Sequence, residues 1–453
     1  MNKTEFYCPH ALLPQGWRSD ITLSVDDSGM VADIRPGCQQ GSQALSGVVI
    51  PGMVNVHSHI HQRLIAGLTG FVASRKDSFW SWRERMYQAV STLDADGFEK
   101  LSALAFMELV EGGYTTTGEF HYPHRLGGLA PHDTADLVVD AALQAGSAIT
   151  MLPVWYRHAG FGRQPLGEHQ QMFDLSLDEL VDVVSRLENR KKSSDGNLLG
   201  VGVAPHSLRA VDARDLPEML SAVGQGPVHI HISEQPAEVE ACLQAHDRRP
   251  IEWLLDNVDV DRRWCLIHAT HASKAEWQAL AERDVVVGIC PTTEADLGDG
   301  LFPVEEYMNA GGRIAVGSDS NLAVSAAEEV RLLEWGQRLR LNRRNVLGKE
   351  GEYLATGLWQ HTALCGAAAL DQPAGELAVG KRADFVVLND SHHLLNRLPP
   401  AEQLDSFVFA HAPGMIDQVY VAGRQQVENG RHHGREALQA QVAGLRARLV
   451  GNS

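Results

Sequence analysis

The chain has 453 residues, 44% of them hydrophobic, with 39 Lys and Arg against 57 Asp and Glu for a formal charge of −18. That length needs more than one small core, and one large barrel with a smaller domain is the natural partition. The negative charge argues against nucleic acid or an anionic membrane surface as partner, no apolar run approaches the ~20 residues of a membrane span, and six cysteines without a C-x-x-C pair suit a reducing, cytoplasmic setting.

Taken in order, residues 1 to about 47 hold short alternating stretches such as Ile21-Thr22-Leu23-Ser24-Val25 followed by turn residues, which predict antiparallel β structure. From 48 to 320 short apolar runs alternate with longer amphipathic segments. The runs cover 48–56, 114–120, 148–155, 198–204, 228–232, 264–269, 285–289 and 314–316. Eight such runs with helices between them predict a (β/α)8 TIM-type barrel. One of the helices is expected over 99–111, with Leu101, Leu104, Ala105 and Leu109 near one face and Gly112-Gly113 as its stop. Residues 376–430 return to β patterning in Phe385-Val386-Val387-Leu388 and Gln418-Val419-Tyr420-Val421, and 436–450 reads as a closing helix. Because chain ends often meet at a domain surface, the two flanks are expected to build one small composite β-sandwich. The expected division is 1–50 for the N-terminal part of the β domain, 51–372 for the catalytic barrel, and 373–453 for the C-terminal part with the closing helix.

Chemistry-bearing residues gather at the C-terminal ends of these runs. His57 and His59 close the first, Glu119, His121 and Tyr122 the second, His206 and Arg209 follow the fourth, His231 and Glu234 the fifth, His268 and His271 the sixth, and Asp319 the eighth. In such a barrel those ends share one face, where active sites form. Two imidazoles at i and i+2 on a strand point to the same side, so His57 and His59 can reach one ion. With His231 and Asp319 they make a plausible site for a divalent transition metal such as zinc. A metal lowers the pKa of its water toward neutrality, and Asp319 could accept the released proton. Glu234 lies where it could hold a proton instead of the metal, and His268 could orient or polarise the attacking group. Plainer roles stay open at this point: His229 reads as structural, Glu234 could cap the helix opening near Pro236, and Asp319 could be an N-cap. Two-ion metal hydrolases of this barrel type resemble one another in a modified lysine at the fourth run; Val201-Gly202-Val203-Ala204-Pro205-His206 offers none, which favours one metal.

Over nearly its whole length the chain resembles the amidohydrolase superfamily, through Pro51-Gly52-Met53-Val54-Asn55-Val56-His57-Ser58-His59, His229-Ile230-His231-Ile232-Ser233-Glu234-Gln235, Gly317-Ser318-Asp319-Ser320, and the tail Gly375-Glu376-Leu377-Ala378-Val379-Gly380-Lys381-Arg382-Ala383-Asp384. It is similar, more narrowly, to the N-formimino-L-glutamate deiminase family of histidine degradation. That likeness rests on Asp77-Ser78-Phe79-Trp80-Ser81-Trp82-Arg83, Glu119-Phe120-His121-Tyr122, His158-Ala159-Gly160-Phe161-Gly162, His206-Ser207-Leu208-Arg209-Ala210-Val211, Arg263-Trp264-Cys265-Leu266-Ile267-His268-Ala269-Thr270-His271 and Thr293-Glu294-Ala295-Asp296-Leu297-Gly298-Asp299-Gly300.

The resemblance implies metal ligands at His57, His59, His231 and Asp319, an acid/base pair at Glu234 and His268, and substrate contacts at Gln62, Arg83, Tyr122, His206 and Arg209. It implies one divalent ion, with zinc best suited to the ligands, a small dicarboxylate substrate deiminated to a formyl product with release of ammonia, and a homodimer. Arg83 and Arg209 would pair with the two carboxylates. Two positions depart from the family pattern: His61 where a bulky apolar residue is expected, and Asp296 where asparagine is expected. The competing enzyme reading is a deaminase of an aminopurine, pyrimidine or triazine ring, which would call for aromatic stacking instead of two arginines. A reading from another class is a catalytically silent metal-binding scaffold.

Overall fold

The computed structural model describes residues 3–68, 79–193 and 198–451. In chain order its strands are β1 (Thr4–Leu13), β2 (Gly16–Val25), β3 (Val31–Pro36), β4 (Gln43–Ala44), β5 (Val48–Pro51), β6 (Met53–Ser58), β7 (Tyr114–His121), β8 (Ala148–Trp155), β9 (Leu199–Val201), β10 (Ala204–Pro205), β11 (Val228–Ile232), β12 (Trp264–His268), β13 (Val286–Ile289), β14 (Arg313–Val316), β15 (Phe385–Leu388), β16 (Ile416–Val421), β17 (Arg424–Glu428) and β18 (Arg431–His432).

Strands β6 to β14 form the barrel. One parallel sheet runs β6, β7, β8 with β9 and β10 both beside β8, and a second runs β11, β12, β13, β14. Parallel bridges Val203 to Val228 and Ser207 to His231 join the sheets on one side, and Ser58 to Asp319 closes them on the other. The fourth position is therefore shared by two short strands, and the ring has eight. β7 shows why these segments are strands: Thr115, Thr116 and Thr117 are β-branched, and every residue of the strand is buried, as in a parallel sheet covered on both faces. The helix expected over 99–111 begins four residues earlier, as Ala95–Glu111, because the Asp94 carboxylate caps it by accepting from the Gly97 amide at 2.8 Å. It ends at Gly112.

The apolar run 48–56 serves two sheets. Its first half is β5, paired parallel with β1 and antiparallel with β15, and its second half is β6 of the barrel. The break falls at Gly52, where a Cβ would lie 2.3 Å from the Thr115 side chain, so only glycine lets the chain pass that close to β7. The flanks combine in one nine-stranded sheet ordered β18-β17-β16-β15-β5-β1-β2-β3, with β4 against β1. In a flat sheet β1 and β16 would stand about 14 Å apart. Yet the rings of Phe6 and Tyr420 lie 5.2 Å apart, so the sheet folds over on itself into a sandwich with its own core of Phe6, Leu23, Phe385 and Tyr420.

A buried ion pair ties this sandwich to the barrel. Arg382 and Asp384 are at most 2% exposed, with Arg382 Nε donating at 2.9 Å. The guanidinium also reaches Gln372 Oε1 at 2.7 Å and the Thr116 hydroxyl on β7, while Asp384 accepts from the Ala422 amide at 2.9 Å. The closing helix, Arg435–Gly451, lies against Ala95–Glu111 through Arg435, paired with Glu108 and Glu111. Among the described residues no helix is long and apolar enough to cross a membrane.

Candidate active site

The strand ends bring His57, His59, His231 and Asp319 together. His231 Nε2 lies 3.0 Å from His57 Nε2 and 3.3 Å from His59 Nε2, and Asp319 Oδ1 is 3.4 Å from both His57 Nε2 and His59 Nε2. Two of the rings have a defined tautomer. The Nδ1 of His59 donates to the Phe120 carbonyl at 3.0 Å and that of His231 to the His206 carbonyl at 3.0 Å. Both Nε2 lone pairs then face each other, an arrangement that repels unless a cation lies between them. Donors around a tetrahedral zinc with bonds of about 2.0–2.1 Å would be separated by about 3.3–3.4 Å, close to the spacing here. Burial drives the His57 pKa down to about 3 against the pull of Asp319, and holds His59 and His231 below the usual histidine value. The imidazoles are therefore neutral, the form that ligates. Burial opposes a charge on Asp319, but His57, His59 and His268 around it hold its carboxyl below the usual carboxylate range. These residues fit a divalent ion.

Glu234 and His268 face the same space. His268 Nε2 lies 3.8 Å from Glu234 Oε1 and 3.7 Å from Asp319 Oδ2, and its Nδ1 bonds Glu294 Oε1 at 3.1 Å. Burial opposes a charge on this ring, but Glu234, Glu294 and Asp319 prevail and raise its pKa to about 10. Burial raises the Glu234 carboxyl, with His268 and Arg209 opposing. The helix Pro236–His246 opens at Gln235 with no side-chain cap, and Asp319 precedes no helix until Ala326–Leu341. The aim of these groups comes from backbone that an L-residue adopts reluctantly: Ser233, His268 and Asp319 have φ of 53°, 68° and 45°. Each turns the chain sharply as it leaves its strand, toward the barrel mouth.

Gln62, Arg83, Tyr122, His206 and Arg209 line one pocket with His59, His231, Glu234, His268 and Asp319. Gln62 Nε2 donates to the Tyr122 hydroxyl at 2.9 Å. His206 packs on Tyr156 and His231, with centroids 4.7 and 5.0 Å apart, and is held neutral by burial and by Arg209. Arg209 comes within 3.7 Å of Glu234 Oε2, and Arg83, on the helix Phe79–Val90, sits over the Tyr87 ring at 5.6 Å. Asp77 and Ser78, which open the motif carrying Arg83, lie outside the described residues.

Sequence reasoning missed several neighbours. Met86, Tyr87, Thr293 and Leu297 also line the pocket, and Glu294 holds His268. Tyr87 falls four residues after Arg83 on one helix, a spacing that could have been read. Nothing local marks Glu294 as the partner of His268. Of the two departures, His61 is fully buried with its ring 4.8 Å from that of Tyr122, and Asp296 is exposed and does not line the pocket. His229, on the same face of β11 as His231, bonds the Ala369 carbonyl at 2.9 Å, away from the ligand cluster.

The amidohydrolase family profile matches residues 48–425. The chain belongs to the amidohydrolase family. Among amidohydrolases and their kin, it is 42% identical over 437 residues, 95% of this chain and 96% of the relative, to a formimidoylglutamate deiminase of Pseudomonas aeruginosa. The solved structure of an amidohydrolase from Brucella melitensis superposes with a TM-score of 0.92 at 35% identity, covering 99% of this chain and 100% of that one. An adenosine deaminase from Xanthomonas campestris with bound zinc, 21% identical with a TM-score of 0.80 over 99% of this chain and 98% of that one, shares the fold. The amidohydrolase barrel and its β-rich companion are thus established, and the family's dependence on metal agrees with the His/His/His/Asp cluster.

Proposed function

We propose that this chain is a formimidoylglutamate deiminase, hydrolysing N-formimino-L-glutamate to N-formyl-L-glutamate and ammonia in histidine degradation. The observation that carries the reading is the composition of one pocket: two arginines, Arg83 and Arg209, share it with the ligand cluster and with Glu234 and His268. A neutral ring substrate has no use for two cations. A diacid does, since each carboxylate can take a forked pair of N–H donors.

His57, His59, His231 and Asp319 are assigned the metal, one zinc ion by the chemistry of three neutral imidazoles and a carboxylate. When bound, that ion supplies Lewis acidity and makes water a stronger acid near neutral pH. The protein's own groups do the rest. Arg209 and Arg83 anchor the carboxylates at the mouth, and Gln62, Tyr122 and His206 border the path from the mouth to the ligand cluster. Glu234 takes a proton from water as oxygen adds to the formimino carbon and passes it to the terminal nitrogen, then carries the remaining proton of the added hydroxyl to the same nitrogen. The bond from carbon to that nitrogen breaks, and ammonia leaves. His268, oriented by Glu294, steadies the negative charge that gathers on the attacking oxygen. In this reading residues 51–372 form the catalytic barrel, the free cysteines suit a cytoplasmic setting, and the homodimer rests on analogy with the fold.

Ammonia release from formiminoglutamate, measured beside its carbamoyl and formyl analogues and beside aminopurines, tests the proposal. Turnover of the formimino diacid alone, or far above the rest, is the expected result. Preference for a ring amine would overturn it.

A further inference from the structure

His268, Cys290 and Asp319 form a second group of donors whose ligand atoms all lie within 4.8 Å of one another, and all three residues are buried. They come from three successive strand ends, those of β12, β13 and β14. Asp319 divides its carboxylate between the two groups: Oδ1 stands 3.4 Å from His57 and His59, while Oδ2 faces His268 Nε2 at 3.7 Å. A carboxylate that offers one oxygen to each of two clusters can bridge two ions. The His268 ring is oriented as a metal-binding imidazole is, its Nδ1 held by a carboxylate, Glu294, and its Nε2 turned toward the cluster. The Cys290 thiol is in no disulfide, and the Cys290 amide donates to the same Glu294 oxygen at 2.9 Å, so one glutamate fixes both prospective ligands.

We infer that His268, Cys290 and Asp319 form a second, inhibitory site for a thiophilic divalent ion beside the ligand cluster already described. A sulfur, a nitrogen and an oxygen donor suit zinc or cadmium and do not suit magnesium or calcium. Ligation releases two protons to solvent, one from the Cys290 thiol and one from His268 Nε2, and leaves a thiolate and a neutral imidazole on the ion. An ion there occupies His268 Nε2 and the second oxygen of Asp319, groups that the proposed deiminase reading needs for catalysis, so the inhibitory half of the inference rests on that reading. The binding half does not. The first cluster contains no sulfur, which gives the second site a signature of its own.

The test uses the full-length holoprotein loaded with one equivalent of zinc and titrated with cadmium. Thiolate-to-cadmium charge-transfer absorption should rise and saturate at one further equivalent, with ammonia release from formiminoglutamate falling in step. Cys290→Ser and Cys290→Ala should remove the band, keep turnover at one equivalent of zinc, and need at least about tenfold more cadmium for the same inhibition. Cys38→Ser, at the exposed cysteine, should leave the band in place. A wild-type protein with no saturating band, or a band that survives both Cys290 substitutions, would overturn the site. A band that saturates while turnover is unchanged would overturn its inhibitory role. If the zinc-loaded wild type released no ammonia from formiminoglutamate, the functional reading would fall, and the band alone would still decide the metal site.

Discussion

Asn55 and Ser318 exchange two hydrogen bonds across the seam where the barrel closes: Asn55 Nδ2 donates to Ser318 Oγ at 2.7 Å, and the Ser318 amide donates to Asn55 Oδ1 at 2.9 Å. Asn55 is two residues before His57, and Ser318 is next to Asp319. Ser318 Oγ in turn donates to Asn321 Oδ1 at 2.7 Å, and Asn321 Nδ2 returns to the His59 carbonyl at 3.0 Å. The pair thereby sets the distance between the two halves of the ligand cluster. Asn55→Ala strands the buried Ser318 amide and takes away the hydrogen bond that Ser318 Oγ accepts, and should weaken metal affinity by about 10- to 100-fold. Zinc retained against graded chelator reads this directly, and retention equal to wild type would show that the seam is not what spaces the ligands.

Removal of the metal should abolish turnover, and adding back zinc should restore it. His57→Ala, which deletes a donor 3.0 Å from His231 Nε2, should abolish it without restoration at one equivalent. Activity that persists in chelator-treated, metal-free protein would contradict the assigned cluster.

Glu234→Gln preserves shape but removes the exchangeable proton and the negative charge that faces Arg209 and His268. Turnover should drop by about 10²- to 10⁴-fold with metal content unchanged. Equal kcat in the variant would strip Glu234 of its role.

For the arginines the readout is a split between substrates. Arg83→Ala should lower kcat/KM for the diacid by about 10- to 100-fold, the loss of one charged hydrogen-bonding partner. Arg209→Ala should cost more, since Arg209 also stands 3.7 Å from Glu234. An analogue lacking one carboxylate should be nearly indifferent to one of the two changes, and that difference identifies which arginine holds which end. Equal sensitivity of both analogues to both changes would remove the clamp.

Away from the site, Asp384→Ala should destabilise the fold by about 3–5 kcal/mol, because Arg382 keeps its buried charge and loses its carboxylate. Thermal unfolding measures this, and kcat per folded, metal-loaded molecule should be unaltered. A melting temperature within a degree of wild type would mean that the pair does not tie sandwich to barrel.

The readable part of the site is the part encoded locally. His57 and His59 are two residues apart at the end of one strand, His231 and His268 fall near the ends of their apolar runs, and Asp319 follows one, so alternation and run boundaries reveal them. The β5 to β6 handover is not readable, because 48–56 is a single apolar run and only the contact of Gly52 with Thr115 splits it between two sheets. Nor is the tie between Asn55 and Ser318, 263 residues apart, or that between His268 and Glu294. Cys290 looks like one more buried thiol in an apolar stretch until the closed ring sets it beside Asp319.

By itself, then, the sequence determined the alternation of strands and helices, the register that turns His57 and His59 to one side, and the chemical types available at the barrel mouth. The tertiary structure alone decided which lone pairs meet, which carboxylate holds His268, and which two arginines share the pocket. The physical reason is range: side-chain alternation along a strand is set by neighbours one or two residues away, whereas ligand spacings near 3 Å exist only after the eighth strand pairs with the first and burial has stripped water from every group at that seam.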